Sequence, residues 1–93
     1  MREKLTEQKL VRAVKTAGGI AVKLVSPGFD GMPDRLVLLS GAKMAFVEVK
    51  AMGCKPQPLQ RKRHEMLRAL GFPVFVLDDE RLIGGIINAI RAT

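Results

Sequence analysis

Ninety-three residues are enough for one domain, and a composition 47% hydrophobic and 27% charged is that of a folded globular chain. Sixteen Lys and Arg against nine Asp and Glu leave a net charge of +7, which favours an anionic partner, nucleic acid first among them. Cys54 is the sole cysteine, which excludes an internal disulfide and a multi-cysteine zinc site. The opening MREKLTEQKL lacks the apolar run of a signal peptide, and no segment reaches the ~20 apolar residues that cross a bilayer. With no internal repeat and no linker-like run, the expectation is a single domain over residues 1–93, cytoplasmic and without a membrane partner.

Residues 3–17 read as an amphipathic helix stopped by Gly18 and Gly19, with Leu10, Val14 and Ala17 at helical spacing. Carried back, that stripe meets Glu7 and then Glu3, and an acid on a core-facing stripe is costly unless compensated. Residues 20–25 (IAVKLV) read as a strand, and SPGFDGMP at 26–33 as a loop. Residues 35–40 (RLVLLS) form the next strand, Gly41 a tight turn, and residues 43–50 (KMAFVEVK) the returning partner of a hairpin.

In that last strand, alternation puts Met44, Phe46, Glu48 and Lys50 on one face and Ala45, Val47 and Val49 on the other, so the strand is expected to be central. Pro58 suits the first turn of a helix running to Leu70, with Leu59, Met66, Leu67 and Leu70 as its inner face. A strand at 72–77 (FPVFVL) and a helix at 79–92 with Leu82, Ile83, Ile86, Ile87 and Ile90 on its apolar side complete an α/β order of α-β-β-β-α-β-α. Phe46, Phe72 and Phe75 read as core, and Phe29 as a loop residue that anchors the loop or touches DNA.

Two features converge on chemistry. Asp34 opens one hairpin strand and Glu48 closes the other, so antiparallel pairing brings them together, with Lys50 on the face of Glu48. Glu7 joins them if the first helix packs across the sheet. Clustered carboxylates supply hard oxygen ligands for Mg²⁺ or Mn²⁺, which polarises a scissile phosphate and helps generate a water nucleophile. A nearby lysine positions or deprotonates that water, or offsets charge in the transition state. Taken singly, each residue is more often structural: a strand-entrance cap at Asp34, a surface ion pair at Glu48 and Lys50. In combination they point to phosphodiester hydrolysis.

The run GGIAVKLVSPGFDGMPDRLVLL, followed by FVEVK, the helix with PLQ, and LGFPVFVLDD, resembles a stand-alone VRR-NUC domain, a virus-type replication-repair nuclease of the PD-(D/E)xK superfamily. The resemblance covers nearly the whole chain. It implies a restriction-endonuclease-like fold, a mixed sheet flanked by helices, and a metal centre built from Asp34, Glu48 and the backbone carbonyl of Val49, with Lys50 catalytic. It also implies a glutamate from the first helix, placed at Glu7 with Glu3 as the alternative. Gln60 matches the glutamine of the helix after the ExK strand, where its amide would bond a phosphate or a metal-bound water; a solvent-facing helix-start residue is the bland reading. Further implications are a homodimer organised like a Holliday-junction resolvase, branched DNA as substrate, and a phage or prophage setting. The isoleucine face of the last helix is the expected dimer surface.

Lys23, beside Ser26, is a candidate phosphate contact, as are Arg61 and Lys62, while Arg35 is either structural or DNA-facing. His64, the sole histidine, is expected to be non-catalytic. The rival functions are flap or nicking cleavage by the same chemistry and a non-catalytic nucleic-acid-binding module. No glycine-rich nucleotide motif supports a small-molecule enzyme.

Overall fold

The computed structural model describes residues 2–93. In chain order the elements are α1 (Arg2–Thr16), β1 (Ile20–Lys23), β2 (Arg35–Leu39), β3 (Lys43–Val49), α2 (Pro58–Ala69), β4 (Val74–Leu77), a 3₁₀ turn at Glu80–Leu82 and α3 (Ile83–Arg91). The strands form one sheet in the order β1-β2-β3-β4, antiparallel through β3 and parallel between β3 and β4. β3 is therefore internal, as its doubly apolar faces required.

Local signals explain most boundaries. Gly18 has φ +87°, and the Gly19 amide donates back to the Val14 carbonyl at 2.9 Å, closing α1 with a left-handed cap. Gly19 also lies so close to β2 that an added Cβ would overlap the Leu38 carbonyl oxygen. Asp79 accepts from the Arg81 amide and starts the 3₁₀ turn, so α3 begins at Ile83, four residues later than the sequence suggests. Phe72 lies ahead of β4 and is 43% exposed, its ring edge-on to Phe46 with centroids 6.2 Å apart. It is thus less buried than the sequence reading holds.

One face of the sheet carries the main core. Ala21, Val37, Leu39, Ala45, Val47, Val49 and Leu77 pack against Leu10 and Val14 of α1 and against Ile83, Ile86, Ile87 and Ile90 of α3. This corrects the expected dimer surface: the isoleucine face of α3 is buried in its own domain and has nothing left to offer a second chain. The other face meets α2, whose buried residues are His64 and Leu67. Leu59, Met66 and Leu70, chosen from the sequence as the inner face of that helix, are all exposed. The half of this sheet face that α2 does not cover is apolar, with Ile20, Val22 and Leu38 exposed.

Candidate active site

Register and alternation build the site. Arg35 pairs with Val47, so Asp34 lies just before β2 and Val49 just beyond the last rung of that ladder. The Phe46 and Lys50 amides donate towards β4, to the Pro73 carbonyl just before it and the Leu77 carbonyl at its end. The intervening odd-numbered residues therefore direct their backbone groups towards β2. At Val49 no strand remains on that side, and its amide donates instead to Asp34 Oδ2 at 2.7 Å. The Val49 carbonyl points the same way, towards the Asp34 end of the hairpin. Glu48 and Lys50 turn to the α2 face.

Glu48 is the least expected side chain in the molecule: a carboxyl only 1% exposed. α2 supplies two of its partners. Gln60 Nε2 donates to Glu48 Oε2 at 3.2 Å, and His64 Nε2 lies 3.2 Å from Glu48 Oε1. Burial, then a hydrogen bond with Asp34 and the Asp34 charge, push the Glu48 pKa up to about 8, with Lys50 pulling the other way and Glu3 adding a smaller upward push. His64 is pushed down, first by burial and then by the positive charges of Arg68 and Lys50. The site thus holds two facing carboxyls in a poorly solvated place, with one lysine near them.

That donor set fits a hard divalent cation. A buried carboxyl held this far above its ordinary range lacks positive charge, and Asp34, Glu48 and the Val49 carbonyl are oxygen donors at one end of one hairpin. Among the described residues no three His, Cys, Asp or Glu side chains converge on a common point. Two carboxylates and a carbonyl suit Mg²⁺, which keeps several of its waters.

The first helix differs from expectation. Glu7 does lie on the sheet-facing stripe with Leu10 and Val14, but its charge is compensated by protein: Arg35 Nε donates to Glu7 Oε2 at 2.7 Å and Arg35 Nη1 to the Ala21 carbonyl at 3.1 Å. Arg35 shares the face of Val47, whereas Glu48 faces α2, so this ion pair sits across the sheet from the carboxyl pair. Glu3, one helical turn earlier, is the α1 acid whose charge acts on Glu48. Arg35 is accordingly held by Glu7 and the Ala21 carbonyl. Lys23 is exposed but lies on the Arg35 face of the sheet. Arg61 and Lys62 are exposed on α2, next to Gln60, and Ser26 is half-buried in the β1–β2 loop.

That loop is fastened to α2 from beneath. Arg63 Nε donates to the Asp30 carbonyl at 2.8 Å, and its guanidinium stacks 3.9 Å from the centroid of Phe29. Phe29 is therefore a loop anchor. His64 is the residue that hydropathy missed. Its one sequence signal was spacing, since Gln60, His64 and Leu67 fall at i, i+4 and i+7 on a single helical stripe.

No protein-family model matches the chain. It is 52% identical, over 82 residues covering 88% of each chain, to a protein of Acyrthosiphon pisum secondary endosymbiont phage 1 named "Putative nuclease p44". A solved structure described as "VRR_NUC domain" superposes with a TM-score of 0.89 at 32% identity, covering 95% of this chain and 96% of that one. The fold and these relatives define a nuclease. The chain belongs to the VRR-NUC family, a branch of the PD-(D/E)xK superfamily.

Proposed function

We propose that this nuclease is a metal-dependent endodeoxyribonuclease that hydrolyses phosphodiester bonds in branched DNA, with Asp34, Glu48 and Lys50 at its centre. The observation that carries the reading is the Glu48 carboxyl, buried against Asp34 and held with a pKa of about 8. Asp34, Glu48 and the Val49 carbonyl would hold Mg²⁺ or Mn²⁺, which when bound supplies charge to polarise the phosphate and lower the pKa of water. Lys50 carries its ammonium on the Glu48 face, where it orients the attacking water or offsets the charge that builds on the phosphate oxygens. Of the two α1 acids, Glu3 is the one proposed to act with this pair, because the charge of Glu7 is taken up by Arg35. Gln60 acts by bonding Glu48. Arg61 and Lys62, with Lys23 and Ser26 further out, are the proposed backbone-phosphate contacts; the net charge of +7 supports binding to a polyanion.

A homodimer would set two such centres to make two cuts across a branch. With α3 buried, the surface proposed for the second copy is the uncovered sheet face of Ile20, Val22 and Leu38, which is uncharged in a chain whose net charge would otherwise hold two copies apart. Light scattering on the wild type and Leu38→Glu tests this: a dimer converted to monomer supports it, and a wild-type monomer removes it.

The test of the activity is a panel of labelled four-way junction, flap, nicked and linear DNA with Mg²⁺, Mn²⁺ or EDTA. Metal-dependent cutting with preference for the junction supports the reading. Preference for the flap would move the substrate within the same chemistry. Tight binding that EDTA leaves unchanged, with no cutting of any substrate, would leave a nucleic-acid-binding module.

A further inference from the structure

We infer that His64 is a positioning residue of the metal centre, acting through Glu48. This rests on the proposed metal-dependent reading and assigns to the site a residue outside the Asp34, Glu48 and Lys50 set.

The argument starts from the donor at the start of α2. The Gln57 amide can only donate, and it donates to Gln60 Oε1 at 2.8 Å. The Gln60 side chain is therefore turned with its NH₂ group towards Glu48, and it meets Oε2 at 3.2 Å. A helix-capping contact thus fixes the amide as a donor to the carboxylate. One turn later, His64 Nε2 stands 3.2 Å from the other oxygen, Oε1. Once ionised, as a metal ligand is, the carboxylate only accepts, and a His64 tautomer with Nε2–H then serves as its second donor, on a ring 2% exposed.

Two donors from one helix face, four residues apart, hold the two oxygens of one carboxylate. A carboxylate gripped at both oxygens has lost its rotation about the last side-chain bond. The lone pairs not used by α2 are then directed away from that helix, on the side where Asp34 lies. Packing gives no other reason for the placement. A histidine filling that space by packing alone would be served equally by leucine, as at Leu67 one turn on, and burying a ring nitrogen against a carboxyl has a desolvation cost that leucine lacks. Partners that orient a ligand typically change metal affinity about 10- to 100-fold when removed.

The experiment measures Mn²⁺ binding by isothermal titration calorimetry, without DNA, in the wild type, His64→Leu and His64→Gln, with each variant's thermal unfolding recorded in EDTA. Leucine keeps the bulk and loses the donor; glutamine keeps an N–H. The expected result is Mn²⁺ affinity lower by about tenfold or more in His64→Leu, largely recovered in His64→Gln, while both variants unfold cooperatively in EDTA. Affinity within about twofold of the wild type in His64→Leu would overturn the inference and leave His64 a packing residue, and so would equal losses in both variants. If His64→Leu does not fold, His64→Gln decides, because wild-type affinity there supports the donor role and a tenfold loss refutes it. Failure of the wild type itself to bind Mn²⁺ would instead overturn the metal reading, and this inference with it.

Discussion

Replacing Glu48 by glutamine should stabilise the metal-free protein, increasingly so as pH rises. The Glu48 carboxyl has a pKa of about 8 in the folded chain against an ordinary 4.5, chiefly through burial and then through Asp34. A carboxyl whose folded pKa is raised binds its proton more tightly when folded. Its favourable contribution is complete below pH 4.5 and is lost progressively as pH climbs to 8. At about 1.4 kcal/mol for each tenfold change in proton affinity, the rise comes to roughly 5 kcal/mol, a large share of a small domain's stability. Glutamine keeps the shape, does not titrate, and offers an N–H where the protonated carboxyl has an O–H. Urea unfolding of wild type and Glu48→Gln in EDTA, at intervals from pH 5 to pH 9, reads this term together with its Asp34 coupling, because groups not coupled to Glu48 cancel in the difference. The two should be close at pH 5 and separate by several kcal/mol by pH 9, with Glu48→Gln the more stable. A difference that stays constant across the range would refute a buried, Asp34-coupled Glu48.

The same carboxyl pair makes divalent metal stabilise more at high pH, because binding displaces the proton: millimolar Mg²⁺ or Mn²⁺ should raise the wild-type Tm more at pH 8.5 than at pH 6, and equal increments would contradict this. Glu3→Gln should slow cleavage substantially while leaving stability within about 0.5 kcal/mol, since Glu3 is exposed. Glu7→Gln should do the reverse, costing about 1 kcal/mol of stability from the part-buried Arg35 pair with cleavage largely retained, as read by urea unfolding and single-turnover kinetics. Gly19→Ala should cost about 3 kcal/mol or more, because its Cβ would meet the backbone of β2 rather than a side chain able to move.

Much of this fold is visible in the sequence because its punctuation is local. Gly18, Gly41 and Pro58 sit where a left-handed residue or a helix start is needed, and the alternation of β3 correctly separates Val47 and Val49 from Glu48 and Lys50. Convergence of Asp34 on the Glu48–Lys50 end also follows from hairpin geometry alone. The misreadings have a common cause, which is that a stripe on one helix does not say what faces it. The isoleucines of α3 form a broad apolar face because they fill the core beneath β3, not because they await a partner. Glu7 is correctly placed on the inner stripe, but its compensating charge comes from Arg35, which a reading of α1 alone could not supply. Hydropathy looked for the inner face of α2 among Leu59, Met66 and Leu70 and missed Gln60 and His64, since polar groups buried to serve a carboxyl carry no apolar signature.

The central claim, that Asp34, Glu48 and Lys50 form one metal-dependent hydrolytic centre, is tested most directly by single-turnover cleavage of a labelled four-way junction with Mn²⁺. Wild type, Lys50→Ala and Asp34→Asn would be compared, with junction binding measured in parallel. The account predicts cutting by the wild type that EDTA abolishes, and a loss of at least about a hundredfold in either variant with binding retained. Cutting that survives in Lys50→Ala and Asp34→Asn at the wild-type rate would contradict it and place the hydrolytic centre elsewhere.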